Sequence, residues 1–122
     1  MYVLEDGDVM VAAMAITMSQ GEDYHDVEWS VSLEDDEVAV VHIVCVNPDY
    51  QKQGIGKRMI QESIALAEES GKKAVRLDAL ASNHPAHRMY GELGFELKGT
   101  QKLYAENTGW TDFLFFEFTE IE

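Results

Sequence analysis

Residues 46–56 read V-N-P-D-Y-Q-K-Q-G-I-G. A run of β-branched residues ends in front of Pro48, and an amphipathic pattern begins after Gly56. This order predicts a strand, a polar glycine turn and the first turn of a helix. Backbone N–H groups at such a helix start have no partner inside the helix, so they can bind an anionic group. The stretch therefore predicts either an anion site or a tight turn that binds nothing.

The bulk composition describes one small domain, which we place at residues 1–122. Of the 122 residues, 46% are hydrophobic, and the net charge of −14 argues against nucleic acid and anionic membranes as partners. Cys45 is the single cysteine and cannot form an internal disulfide, so we expect a cytoplasmic protein. No apolar run approaches the ~20 residues that span a bilayer. No Cys/His/Asp cluster has metal-ligand spacing, so we expect no metal site.

The first half of the chain has the patterns of strands. Asp6-Gly7 is a hairpin turn signal between residues 2–4 and 9–18. Residues 27–31 alternate apolar and polar side chains, which predicts a half-buried strand.

The acidic run at 34–37 predicts a solvated turn. Residues 38–46 are apolar except for His42, which predicts a central, fully buried strand that ends before Pro48.

The second half has the patterns of two helices and three strands. Apolar residues recur at spacings of three and four from Gly54 to Gly71, which predicts an amphipathic helix. A strand at 74–79 follows, and Pro85 starts a second helix that stops at Gly94. The last two strands are predicted at 95–104 and 111–118, joined around Asn107-Thr108-Gly109.

The predicted fold class is α/β (α+β): a mixed, mostly antiparallel sheet with helices packed on it. Because a helix separates 38–46 from 74–79, these two strands should be parallel neighbours at the centre of the sheet. The glycine turn would splay this pair and open a crevice at its C-terminal edge, where ligands bind in α/β sheets.

Basic residues concentrate at this turn. Lys52, Lys57 and Arg58 are three of only nine in the chain, which supports an anionic ligand. The pattern is not a Walker A loop, and Met59 stands where a G-x-G-x-x-G motif needs its third glycine.

A second motif lies at 83–95 and reads N-x-x-A-x-x-x-Y-x-x-x-G-F. Together with Gln51-x-x-Gly54-x-Gly56 upstream, it resembles the GNAT superfamily of acetyl-CoA-dependent N-acetyltransferases, over essentially the whole chain. The resemblance implies direct transfer of an acetyl group from acetyl-CoA to a primary amine. The acidic chain favours a cationic acceptor, such as a small cationic amine, a protein lysine or a protein N-terminus.

The resemblance also implies roles for particular positions. In the family, the turn binds the CoA pyrophosphate, and the strand end before it pairs with the pantetheine arm and polarises the thioester carbonyl through backbone N–H groups. The position of Asn83 contacts pantetheine, and that of Tyr90 lies near the CoA sulfur. The implied cofactor-binding residues are Val44, Cys45, Val46, Gln51, Lys52, Gln53, Gly54, Ile55, Gly56, Lys57, Asn83 and Tyr90.

The chemistry needs an acid and a base. A phenol can protonate the departing thiolate, so Tyr90 is the candidate general acid; the alternative is a core aromatic residue. Candidate bases for the amine are His42, Glu28 and Asp78. His42 could instead be a satisfied core histidine, and Glu28 could simply face solvent. We interpret Cys45 as a packed thiol and not as a nucleophile.

The sequence departs from the family at its start, since the usual N-terminal strand and helices have no match before Tyr2. Without them, apolar sheet surface would be exposed, and we expect a homodimer that covers it. The alternative to an enzyme is a non-catalytic module that binds CoA or only dimerises.

Overall fold

The computed structural model of the chain describes residues 2–21, 24–25, 27, 29, 33–50, 54–105 and 109–119. Within these residues the elements follow in the order β1 (Tyr2–Asp6), β2 (Val9–Thr17), β3 (Val38–Val46), α1 (Ile55–Glu69), β4 (Ala74–Leu80), α2 (His84–Glu92), β5 (Glu96–Ala105) and β6 (Gly109–Phe118). No described helix is long and apolar enough to cross a membrane.

The strands form one sheet in the order β1-β2-β3-β4-β6-β5. Its pairs are antiparallel except for β3 and β4, which are parallel neighbours at the centre. The predicted fold class and the predicted parallel pair are therefore confirmed. The predicted hairpin is also present, with Gly7 at a φ of 64° in the turn between β1 and β2.

The parallel pairing is short. It runs from Val38 opposite Ala74 to Val41 opposite Leu77, although β3 continues to Val46 and β4 to Leu80. The central strands therefore diverge beyond Val41 and Leu77, and we call this opening the splay.

A β-bulge in β3 lies at the start of the splay. Ala15 of β2 pairs with Ile43, and the next residue, Ile16, pairs with Val41, so His42 is an extra residue on β3. Bulges re-aim side chains and often lie next to functional sites.

Each face of the sheet has its own apolar cluster. The helices pack on one face, where α1 buries Met59, Ile60, Ser63 and Ala67, the stripe that the spacing predicts. The other face carries a smaller cluster of Tyr24, Val27, Val38, Val40 and Phe115, with Trp29 packed against it. We call it the open face.

A buried ion pair joins β4 and β6. Arg76 and Glu117 are direct register partners, Nη2 lies 2.8 Å from Oε2, and both residues are buried. Arg76 Nη1 also donates a 2.7 Å hydrogen bond to Gln20 Oε1. Sequence reasoning missed this pair because both residues lie within strand patterns that are otherwise apolar or alternating.

One prediction about the connection between β2 and β3 needs correction. Val27 and Trp29 belong to no strand, while Glu28 and the rest of 27–31 lie outside the described residues. Trp29 makes its described hydrogen bonds within its own segment and not with a neighbouring strand. Its backbone N–H donates to Val27 O at 3.1 Å, and its indole N–H donates to Tyr24 O at 2.7 Å.

The acidic run forms the predicted turn, and none of its residues is buried. Asp35–Glu37 is a 3-10 turn. Asp35 Oδ1 accepts hydrogen bonds from Gln20 Nε2 at 3.0 Å and from His25 Nε2 at 2.8 Å.

Candidate active site

A groove of about 550 Å³ lies between the end of β3 and the N-terminal turns of both helices. It brings together the two sequence motifs, which are 27 positions apart when counted from Gly56 to Asn83. Among the residues predicted to bind the cofactor, Val46, Gly54, Ile55, Gly56, Lys57, Asn83 and Tyr90 line it. Sequence reasoning missed four further lining residues, Tyr50, Pro85, Ala86 and Met89.

The glycine turn leads directly into α1. Gly54 is the N-cap residue with a φ of 75°, a left-handed conformation that disfavours residues with a Cβ. A Cβ at Gly54 would meet nothing within 4 Å, so the groove is open beside it. The first intrahelical bond runs from the Arg58 N–H to Gly54 O, which leaves the N–H groups before Arg58 for a ligand. Gln51, Lys52 and Gln53 lie outside the described residues.

The charge at this helix start suits an anion. The first turn of α1 contains no acidic residue, so nothing opposes the positive end of the helix dipole. Lys57 lies there, and its Nζ is 3.2 Å from Glu92 Oε2 at the end of α2. This ion pair ties the two helices together across the groove.

Gly56 lies where the first turn of α1 meets α2 and the end of β3. A Cβ added there would lie 3.5 Å from Met89 Sδ and 3.8 Å from Val46 Cγ2. Both distances are ordinary van der Waals contacts, so this packing does not by itself require a glycine.

The splay leaves backbone groups that a ligand could pair with. Val44 and Cys45 of β3 pair with Met14 and Ala13 of β2, so their other edge faces the gap beyond Val41. An extended pantetheine arm carries two amides and could add to this edge as a strand does. The side chains of Val44 and Cys45 lie outside the described part of the structure, so the packed Cys45 thiol stays a prediction.

Asn83 is the N-cap residue of α2. Its Oδ1 accepts a hydrogen bond from the Ala86 N–H at 3.4 Å. Pro85 follows in the first turn, where a missing N–H costs nothing. The sequence analysis assigned Asn83 only to ligand binding. The N-cap hydrogen bond explains why an Asn suits this position even without a ligand.

Tyr90 combines the two alternatives left by the sequence. Its ring belongs to the helix-side core, 5.4 Å from that of Phe116 and 5.9 Å from that of Phe95. It also lines the groove. Burial raises the pKa of the phenol above its ordinary value of 10.0, and the nearby Asp78 carboxylate raises it further. The phenol is therefore protonated at neutral pH, as a general acid must be.

The candidate bases differ in their surroundings. The core alternative for His42 is wrong, because the residue is exposed on the β-bulge and its Nε2 is 2.8 Å from Thr17 Oγ1. The prediction that β3 is fully buried fails at the same residue. Glu28 lies outside the described residues. Asp78 is the first residue of β4 beyond the last parallel pair, and its Oδ2 accepts a 2.8 Å hydrogen bond from the Tyr24 hydroxyl.

Comparisons with known proteins agree with this geometry. The profile of the Acetyltransferase (GNAT) family matches residues 1–95. The chain is 36% identical over 77 residues to the uncharacterized N-acetyltransferase MJ1207 of Methanocaldococcus jannaschii. The aligned segment covers 63% of this chain and 34% of that protein. It is 34% identical over 70 residues to the [ribosomal protein bS18]-alanine N-acetyltransferase of Escherichia coli, covering 57% of this chain and 47% of the relative. The chain thus spans less than half the length of these two relatives.

A solved structure shows the same fold. It is that of yncA from Salmonella typhimurium with its cofactor acetyl-CoA, with a TM-score of 0.74 and 19% identity over 96% of this chain and 62% of that one. The family profile spans most of the chain, and the strand order, splay and glycine turn fit it. The chain belongs to the GNAT acetyltransferase family.

Proposed function

We propose that the protein transfers the acetyl group of acetyl-CoA to a primary amine by direct attack. One observation carries the proposal: the groove joins an anion-binding helix start, an open strand edge and a buried, protonated phenol. These are the three features that a pyrophosphate, a pantetheine arm and a leaving thiolate require.

The helix start would hold acetyl-CoA. Backbone N–H groups at Ile55 and Gly56 would bind the pyrophosphate. The other candidates for contacts with the pyrophosphate are Gln51, Lys52, Gln53 and Lys57. The edge of β3 at Val44, Cys45 and Val46 would bind pantetheine, and a backbone N–H there would polarise the thioester carbonyl. Acetyl-CoA is a substrate in this scheme.

The transfer needs two proton movements. The neutral amine attacks the thioester carbon, a C–N bond forms, and the C–S bond breaks to release the CoA thiolate. The Tyr90 hydroxyl donates its proton to that thiolate. The ordinary thiol pKa of ~8.5 lies below that of the phenol, so the transfer requires that desolvation of the thiolate raise its basicity. The base accepts the proton that the attacking nitrogen loses.

We assign the base to Asp78. The Asp78 carboxylate lies close enough to Tyr90 to raise the pKa of its phenol. It stands at the mouth of the splay and is held by Tyr24. His42 is also at the splay, but it is Asp78, and not His42, that raises the pKa of the Tyr90 phenol. Asp78→Asn should lower kcat by about 10²-fold to 10⁴-fold, and His42→Gln by far less.

The acceptor is a cationic amine in this proposal: a small amine, a protein lysine or a protein N-terminus. The net charge of −14 supports a cationic partner. The name of the Escherichia coli relative, which acts on an alanine of ribosomal protein bS18, supports the amine of a protein N-terminus as one member of the class.

The experiment measures release of free CoA from acetyl-CoA with a panel of primary amines. We expect turnover with at least one cationic amine, and loss of turnover in Tyr90→Phe. Tyr104→Phe is the control, since that tyrosine is exposed on β5 and does not line the groove. Acetyl-CoA that binds in calorimetry but supports no turnover with any amine would contradict the proposal.

We also propose a cytoplasmic homodimer. Val3, Val9 and Met10 of the β1–β2 hairpin are exposed apolar side chains, and a second copy could cover them. Light scattering should show twice the mass of one chain. A single-chain mass at micromolar concentration would contradict the dimer.

A further inference from the structure

A second cleft, of about 470 Å³, lies on the open face of the sheet. Its walls include Tyr24, His25, Trp29, Glu34, Asp35 and Arg76. The groove described above has none of these residues, so the two cavities are separate. The acidic run at 34–37, for which the reaction has no use, supplies one wall of this cleft.

The walls of the cleft are held in place. The rings of Tyr24 and Trp29 stack with centroids 5.6 Å apart, and the edge of Phe115 supports Tyr24 at 5.2 Å. The Arg76 guanidinium carbon lies 4.3 Å from the Trp29 ring centroid, and Glu117 pairs with Arg76 from behind. These contacts fix the described aromatic and basic wall residues relative to one another, which lowers the cost of ordering them on binding.

The cleft carries an excess of negative charge. Glu117 balances the charge of Arg76, which is directed into this ion pair. Glu34 and Asp35 then remain as acidic wall residues. Hydrogen bonds from Gln20 and then His25 lower the pKa of Asp35 below its ordinary value of 3.8, so the Asp35 carboxylate is ionised at neutral pH.

Tyr24 connects the cleft with the reaction site. Its ring forms part of the cleft wall, and its hydroxyl donates to Asp78 at the splay. Arg76 lines the cleft two residues before Asp78 on β4, which is a separation of about 7 Å along a strand. A molecule whose amine reaches Asp78 from the open face could therefore extend into the cleft.

We propose that this cleft binds the positively charged tail of the acceptor, so that the preferred substrate is a primary amine with a second cationic group several bonds away. The inference rests on the proposed acetyltransferase function and makes it more specific. The reacting amine would lie at Asp78, and the second ammonium would lie against Glu34 and Asp35. A neutral tail would lose the ionic contact, and a carboxylate tail would be repelled.

The kinetic test compares three acceptors of one length: 1,5-diaminopentane, pentylamine and 5-aminopentanoate. A charge-assisted contact predicts a kcat/KM at least about tenfold higher for the diamine than for pentylamine, and the lowest value for the carboxylate. Glu34→Gln with Asp35→Asn should bring the diamine close to pentylamine, while KM for acetyl-CoA is unchanged. Asp36→Asn is the matched control, because Asp36 belongs to the same run but does not line the cleft.

A binding test separates the two proposals. Trp29 and Trp110 are the two tryptophans of the chain, so Trp110→Phe leaves Trp29 as the only indole reporter. Titration with 1,5-diaminopentane should change its fluorescence to saturation, and Glu34→Gln with Asp35→Asn should abolish the change. Saturable binding without turnover of any amine would support the cleft and overturn the acetyltransferase proposal. Turnover of the three acceptors at equal rates, with no Trp29 response, would overturn the cleft alone.

Discussion

Arg76 Nη2 lies 2.8 Å from Glu117 Oε2, and the two residues face each other in the register of β4 and β6. Burial lowers the pKa of Arg76, and the ion pair with Glu117 opposes that effect. Each charge is therefore tolerated in the core only while its partner is present, because either charge alone would be buried without compensation.

Removal of one partner should destabilise the protein strongly. Glu117→Gln should reduce the free energy of unfolding by about 3–5 kcal/mol, measured by urea denaturation. The double variant Arg76→Met with Glu117→Leu should regain most of that loss. Glu92→Gln is the control, since it breaks the exposed pair with Lys57 and should cost no more than about 1 kcal/mol. Equal losses in Glu117→Gln and Glu92→Gln would contradict this account.

The glycine turn offers a matched pair for cofactor binding. Gly54 and Gly71 flank α1, both have a φ near +75° (75° and 73°), and a Cβ on either would meet nothing within 4 Å. An aspartate at either position has the same backbone strain, about 1–2 kcal/mol. Gly54→Asp also puts a negative charge at the helix start, so its Kd for acetyl-CoA should rise about 100-fold or more. Gly71→Asp should leave the Kd unchanged in calorimetry, and a similar loss in both variants would argue against the site.

The phenol of Tyr90 predicts a particular pH profile. Its pKa lies above 10.0, so it remains protonated across the working range and should cause no loss of kcat on the alkaline side below pH 10. Tyr90→Phe should lower kcat by about 10²-fold or more, with little change in KM for acetyl-CoA. An alkaline limb near pH 8 that disappears in Tyr90→Phe would contradict the assignment.

The acidic turn predicts sensitivity to low pH. A hydrogen bond from Lys73 lowers the pKa of Glu37, and hydrogen bonds from Gln20 and His25 lower that of Asp35. Because the folded values lie below the ordinary 4.5 and 3.8, these carboxylates contribute stability that is fully present above those values. That stability is lost as the pH falls through the lower folded values. Glu37→Gln should flatten the decline in Tm below about pH 4.5, and Asp36→Asn, on the exposed side of the turn, should not.

Most of the fold could be predicted from the sequence because the patterns that indicate its helices, strands and turns are local. The β-branched run at 38–46, the stripe of α1 and the glycines at 54, 71 and 94 each specify their own element. The order of those elements then determines the parallel pair. The position of the groove could be predicted as well, because its two sequence motifs lie at the ends of those elements.

The open face was not readable, because its contacts join distant residues. Arg76 and Glu117 are 41 positions apart, and Tyr24 and Asp78 are 54 apart. The alternation at 27–31 predicted a half-buried strand. Val27 is buried and Trp29 is partly buried, as they would be in such a strand, although neither belongs to one. His42 was predicted to lie in a buried strand because the position of a β-bulge cannot be recognised from the hydrophobic pattern.

The gap beyond Val41 and Leu77 also concerns the lifetime of the protein. The described strands offer no partner to the two edges that face each other there. Native proteins protect unpaired strand edges with charge, curvature or a covering element, and acetyl-CoA bound as proposed would cover these two edges. The ligand-free chain should therefore aggregate on warming sooner than the acetyl-CoA complex. Acetyl-CoA bound at the splay, as proposed above, would then protect the polypeptide as well as serve as a substrate.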